Sequence, residues 1–433
     1  MSSGRFVVLG LAQARSPWFR NVAQWSNAGS LPVEFVKCMS PVELRAHLAS
    51  GRAFSALLVD GGLPALDRDL VDEARSAGCA VIVVDDVRVT RDWAALGAST
   101  VMGPLFERKD LIEALAAHAS EIGRGDAVPG ADLGDPMVGG GWRAKVAMVC
   151  GPGGTGASTA AIALAQGLGD DLGYGGMVLL ADLSLHAEQA MLHDARDVVP
   201  GVQELVDAHR NGRPSVDDVR SLTFAVEARR YQLLLGLRRA RNWPALRPRA
   251  FAASFDSLTR GWRALVCDTD ADLEGEAEGG SADVEERNLM ARTVAGRADA
   301  CFVVGLGTMK GVHALVRVVG ELLDHDVLAD RIVPVINVAP KSARGRSEVA
   351  SAIASLLEAR IDARSLPSPV FLPERRVDDA LRDGVRLPAS LCTPLAGAFT
   401  AVVERAAGVG VRSLDQPTLV KPGSLGHWSP EPA

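Results

Sequence analysis

No stretch of this chain stays apolar for the roughly 20 residues that a membrane helix needs. The opening residues, MSSGRFVVLGLAQARSPW, lack a basic region followed by a long apolar core and a small-residue cleavage site. A signal peptide and a membrane span are therefore not expected, and a cytoplasmic protein whose chain opens on a strand is. CxxC spacing is absent: Cys38, Cys79, Cys150, Cys267, Cys301 and Cys392 lie scattered, mostly in or beside apolar runs. They read as buried thiols acting as small hydrophobes, not as metal ligands or disulfides. No HExxH or other ligand-spaced histidine cluster occurs, so a histidine metal site has no support. A basic excess is missing too, and the formal net charge of −7 argues against bulk nucleic-acid affinity.

What is present is apolar alternation on a large scale. The 433 residues are 48% hydrophobic, enough for two or three cores. Short apolar runs alternate with helical patterns, which implies parallel sheets flanked by helices. Two composition breaks divide the chain. The stretch GRGDAVPGADLGDPMVGGG, Gly123 to Gly141, is rich in Gly, Pro and Asp and reads as a linker, and the tail carries four prolines without an apolar helical face. The expected organisation is an α/β domain over 1–120, a linker over 121–142, a second α/β domain over 143–407 and a tail over 408–433.

Five strand-like runs (FVVLGL, VEFVKC, SALLVD, AVIVVDD and STVMG) alternate with helical stretches in the first domain. That number suits a flavodoxin-like, doubly wound sheet. Asp60 ends the third run and Pro64 follows four residues later, a pattern that resembles the phosphoacceptor site of response-regulator receiver domains. The acidic pair that would hold magnesium after the first strand is absent, and Gly103 precedes Pro104 where receivers place a lysine. Phosphoryl transfer onto a carboxylate needs such cations. The domain is identified as a pseudo-receiver, with Asp60 either its vestigial acceptor or a strand-end acid.

The second domain opens with KVAMVC, then CGPGGTGASTA, Cys150 to Ala160, then a helical run. Strand, glycine loop and helix are the context of a phosphate-binding loop, because glycines admit close backbone approach and a helix N-terminus offers unpaired N–H groups. Gly151 and Gly156 occupy the glycine positions of GxxxxGK[ST], and Ser158 occupies the hydroxyl that would ligate magnesium. Ala157 stands where the lysine belongs. A glycine turn that serves packing alone is the alternative. Downstream, MVLLAD ends in Asp182 and ALVCD in Asp268, an apolar strand ending in an acid as a magnesium-organising motif requires. Capping is the other reading of Asp268. Lys145 precedes its strand and reads as surface.

At this point the chain resembles the MinD/ParA family of P-loop ATPases. Pro152 to Ser158 fall on that family's deviant loop, LLADLS on its DxD segment, VCDTD on its Walker B strand, VINVAP near its base-contacting Asn, and LPERRVDDALRDGVRLP on its C-terminal stretch. The resemblance implies a P-loop, doubly wound, mostly parallel sheet. It also implies ATP and Mg2+ as cofactors, with nucleotide contacts from Gly151, Gly153, Gly154, Thr155, Gly156, Ala157, Ser158, Thr159 and Asn337. Metal contacts would come from Ser158 and Asp268, and Asp182 would be the catalytic candidate. The family's signature lysine is Pro152 here, and the second acid of DxD is Ser184. Losing one such stabilising donor costs ~3 to 4 kcal/mol at the transition state, so hydrolysis is expected to be weak or absent.

A receiver-like domain ahead of a MinD-like domain resembles the CpaE/TadZ proteins and the septum-site-determining type of actinobacteria. That resemblance implies a homodimer acting as a localisation or scaffold protein for Flp pilus, secretion or division machinery, recruited through partners to a pole, septum or membrane. The alternative is an active MinD/ParA-type ATPase in cell division or DNA partitioning, with an arginine from Glu227 to Arg249 standing in for the lysine. Apart from that role, this arginine-rich stretch reads as a solvated face and loop. The acidic segment Asp270 to Glu286 reads as a solvated insertion. The tail presents no amphipathic membrane helix.

Overall fold

The computed structural model describes residues 5–13, 16–27, 31–50, 52–122, 143–276 and 280–410. Most of the Gly/Pro/Asp-rich linker and all of the tail beyond 410 lie outside the described residues. The chain forms two α/β units, each around its own sheet.

The first unit runs β1 (Phe6–Leu11), α1 (Pro17–Asn27), β2 (Val33–Cys38), α2 (Pro41–Ala49), β3 (Ala56–Asp60), α3 (Arg68–Ser76), β4 (Ala80–Val84), α4 (Trp93–Leu96), β5 (Thr100–Met102) and α5 (Arg108–His118). Its sheet is parallel in the order β2-β1-β3-β4-β5, the flavodoxin-like order. Every residue of β3 and β4 is buried, which explains runs that are apolar without alternation: helices cover both faces. A two-residue bridge between Arg5 and Ile122 closes the unit at its ends.

The second unit begins with β6 (Lys145–Cys150), α6 (Ala157–Asp170), β7 (Val178–Leu183), α7 (Gln189–Leu192), α8 (Val202–Asn211) and α9 (Val216–Ser221). It continues through β8 (Phe224–Val226), β9 (Tyr231–Leu234), a 3-10 segment Ala240–Ala245, α10 (Pro248–Gly261) and β10 (Ala264–Thr269). β11 (Ala300–Leu306), β12 (Ile332–Asn337) and β13 (Val370–Phe371) follow, with helices Met309–Asp324 and Ala343–Leu357 between them and Ala389–Gly410 at the end. The order is β13-β12-β11-β6-β10-β7-β9-β8, and only the β8–β9 pair is antiparallel. Val146, Met148 and Cys150 pack into one layer, Ala147 and Val149 into the other. Each fully buried valine or methionine among them contributes about 1.5 to 3 kcal/mol. All six cysteines are buried and free. Among the described residues no helix is long and apolar enough to cross a membrane.

Two expectations need correction. The arginine-rich stretch is not wholly a solvated face: it contains β9 and a fully buried Arg229, whose guanidinium donates to the carbonyls of Val385 and Ala380, both at 2.9 Å. Tyr231 and Leu233 give that stretch the apolar surface that draws it into the sheet. The last helix also runs on to Gly410, past the expected start of the tail at 408.

The units meet at α3. Its N-cap Asp67 is buried and accepts from Arg210 Nε at 2.9 Å. Arg68 donates to the carbonyls of His209 and Gly212, at 2.8 and 2.9 Å, at the C-terminal end of α8. Asp69 accepts from the backbone N–H of Arg249, 3.0 Å away, in the first turn of α10. A cation thus sits at one helix C-terminus and an anion at another's N-terminus, each the favoured sign for the helix dipole.

Candidate functional site

β6 lies between β10 and β11, and the loop after it opens at the carboxyl end of the strands, where ligands of open α/β sheets bind. Gly151 has no room for a side chain: a Cβ there would lie 2.3 Å from the Val304 carbonyl oxygen. Gly153 and Gly154 differ, since a Cβ on either meets nothing within 4 Å, leaving the loop's outer side open. Gly156 turns the chain into α6 with φ +86°, a left-handed value that glycine adopts without strain. It is the N-cap of α6, and no side chain caps that helix or places an acid in its first turn. The first N–H groups of α6 are therefore free of a side-chain acceptor and form the positive end of the helix dipole.

The loop is fastened from two sides. Thr155 donates through its hydroxyl to the Pro152 carbonyl at 2.8 Å, and the Asn337 amide donates to the Thr155 carbonyl at 2.9 Å. Asn337, expected at a nucleobase, thus has a loop-holding contact from the end of β12. Ala157 begins α6, with Ser158 and Thr159 in its first turn, all half-buried.

Beneath the loop, Asp182 and Asp268 stand directly opposite each other on β7 and β10, and both are buried. Ser158, in the first turn of α6, is close enough to Asp268 to favour its charged form. Gln189, at the start of α7, reaches both acids: its backbone N–H donates to Asp182 at 2.9 Å and its side-chain amide to Asp268 at 2.7 Å. The same amide also donates to the Ser158 carbonyl at 3.2 Å. Burial raises both carboxyl pKa values, and the negative charge of Asp268 pushes Asp182 further. Asp270, expected at the start of a solvated insertion, instead accepts from the Leu185 backbone N–H at 2.6 Å.

The loop, Ser158, Asp268 and Asp270 border a cleft of about 1060 Å³ whose other wall carries Arg241 and Trp243 from the 3-10 segment and Arg317 from the helix Met309–Asp324. Ser184, at the position of the missing second acid, lines it as well. Ser158 and Asp268 offer hard oxygen ligands beside a phosphate-sized opening, and the buried Thr269 hydroxyl on the cleft wall has no partner among the described residues. This donor set fits Mg2+, which takes one or two protein oxygens and completes its shell with water and phosphate.

The structure brings together the loop residues, Ser158, Asp182 and Asp268. Asn337 touches the loop from behind. Asp60 stands apart in the first unit, nearly buried, accepting from the Ser16 hydroxyl and from the Gly62 backbone N–H at 3.0 Å. Sequence reasoning missed Gln189. Its only signal was a lone polar side chain seven residues after Asp182, too common a pattern to single out.

The sequence matches no family model, and a search of curated proteins also finds no match. Among solved structures, the septum site-determining protein MinD of Pyrococcus horikoshii OT3, complexed with Mg-ADP, is 19% identical, covering 62% of this chain and 99% of its own, with a TM-score of 0.42. A ParA family ATPase of Chlorobium tepidum TLS is 16% identical over 61% of this chain and 98% of its own, TM-score 0.41. An McdA–ATP complex from Cyanothece is 18% identical over 64% of this chain and 100% of its own, TM-score 0.43.

Proposed function

We propose that the second unit binds a Mg-nucleotide at Gly151–Thr159 and that the protein works as a CpaE/TadZ-like localisation or scaffold component, dimerising through this unit, with weak or absent hydrolysis. The observation that carries the reading is the uncapped start of α6 behind an open glycine loop, with Ser158 and a buried strand-end acid, Asp268, lining the same cleft. Backbone N–H groups and the helix dipole hold phosphate without a lysine. Mg2+, when bound, would supply the charge that offsets phosphate and the two acids. Ser158 and Asp268 would hold it, Gln189 would hold the two acids in place through its hydrogen bonds, and Asn337 would keep the loop in shape.

Turnover is the weaker capacity. Ala157 and Pro152 bring no cation, and Ser184 brings no carboxylate to position an attacking water. Titration with a fluorescent adenine nucleotide, with and without Mg2+, tests the binding claim. Light scattering in the same conditions tests the dimer, and a protein monomeric at every concentration would remove it. An active ATPase is the second reading, and the presence of Arg241 on the cleft wall favours it. Phosphate release above background, lost in Asp268→Ala, would establish that reading in place of the first.

A further inference from the structure

We propose that Arg241 replaces the absent loop lysine as the cation facing the terminal phosphate of the bound nucleotide. The inference rests on the nucleotide reading above and assigns it a residue. Three arginines line the cleft: Arg241, Arg287 and Arg317. Arg287 is paired with Asp272 at 2.9 Å, and Arg317 lies 3.7 Å from Glu321 one turn along its own helix. Arg241 is exposed, and among the described residues no carboxylate pairs with it. It is the cation on that wall whose charge is left for a ligand.

Its backbone is fixed although its side chain is free. Asn242 donates to the Gln203 side chain at 3.2 Å, and Arg238 donates to Glu204 at 2.8 Å, tying both sides of the segment to α8. Trp243 packs against the core and Leu246 is buried within it. A rigid base with a free guanidinium suits a planar donor that forks onto phosphate oxygens. The cleft also carries the carboxylates of Glu188, Asp268, Asp270, Asp272 and Glu321, which outnumber the three arginines. Such a lining repels a bare anion, so Arg241 and a divalent cation would act together on a triphosphate.

The test is a titration of wild type, Arg241→Ala, Arg241→Lys and Arg239→Ala with fluorescent adenosine triphosphate and diphosphate in the presence of Mg2+. Arg239 is exposed and does not border the cleft, so its variant controls for net charge. The expected result is about a tenfold loss of triphosphate affinity in Arg241→Ala, less than about a twofold loss for diphosphate, partial recovery in Arg241→Lys and no change in Arg239→Ala. Wild-type triphosphate affinity in Arg241→Ala, or equal losses for the two nucleotides, overturns the role of Arg241 and leaves the nucleotide site standing. A wild type that binds neither nucleotide overturns both readings.

Discussion

The side-chain amide of Gln189 lies 2.7 Å from the carboxylate of Asp268 and bridges it to the Ser158 carbonyl. One residue thus links the strand-end acid to the first turn of α6, and its backbone N–H holds the neighbouring Asp182. Replacing it with alanine leaves a buried carboxylate short of a donor, at a cost of about 1 to 3 kcal/mol. Urea denaturation of Gln189→Ala should show that loss, and Mg-nucleotide should recover more stability in the variant than in wild type.

The two acids make stability depend on pH in a definite direction. Their folded pKa values are raised, so the folded state holds protons that the unfolded chain has released. Their stabilising contribution is complete below the ordinary aspartate pKa and is lost as pH rises through the folded values. Asp182→Asn mimics the protonated form. In chemical denaturation at pH 5 and pH 8 without Mg2+, its advantage over wild type should be larger at the higher pH, by about 1 to 3 kcal/mol.

His193 works on the other side of neutrality. Burial lowers its pKa to about 4, although the ring hydrogen-bonds to the Gln189 carbonyl and the Tyr231 hydroxyl. A depressed histidine favours the folded state above its unfolded pKa and loses that contribution as pH falls toward 4. His193→Gln should flatten the stability profile between about pH 6.5 and 4, measured by the same denaturation series.

Restoring the missing charge gives a gain-of-function test. Ala157 is half-buried at the first position of α6, where a lysine side chain can reach the cleft it lines. Ala157→Lys should tighten triphosphate binding about tenfold. Phosphate release should rise far less, because Ser184 still supplies no carboxylate.

Arg68 and Asp69 hold the ends of α8 and α10 in the second unit. Arg68→Ala removes two charge-assisted hydrogen bonds, worth about 1.5 to 3 kcal/mol each at most. Calorimetry should resolve two transitions in the variant where wild type shows one.

Much of the fold could be read from apolar runs. FVVLGL, ALLVD and KVAMVC are strands because sheets covered on both faces bury every residue, and that leaves a continuous mark in sequence. β9 was hidden because Arg229 and Arg230 adjoin it, and only the folded chain reveals that Arg229 is paid for by two carbonyls some 150 positions away. The loop was legible from its glycines and Asp268 from its place at a strand end. Gln189 and the unpaired state of Arg241 were not, because each depends on which distant segment folds over the site.

A seam made of charges set against helix ends is reversible in a way an oily one is not. The two halves of this protein, produced as separate chains, should find each other in dilute salt and part in concentrated salt. Excess free carboxylate should likewise compete with Asp67 for Arg210 and loosen the same seam.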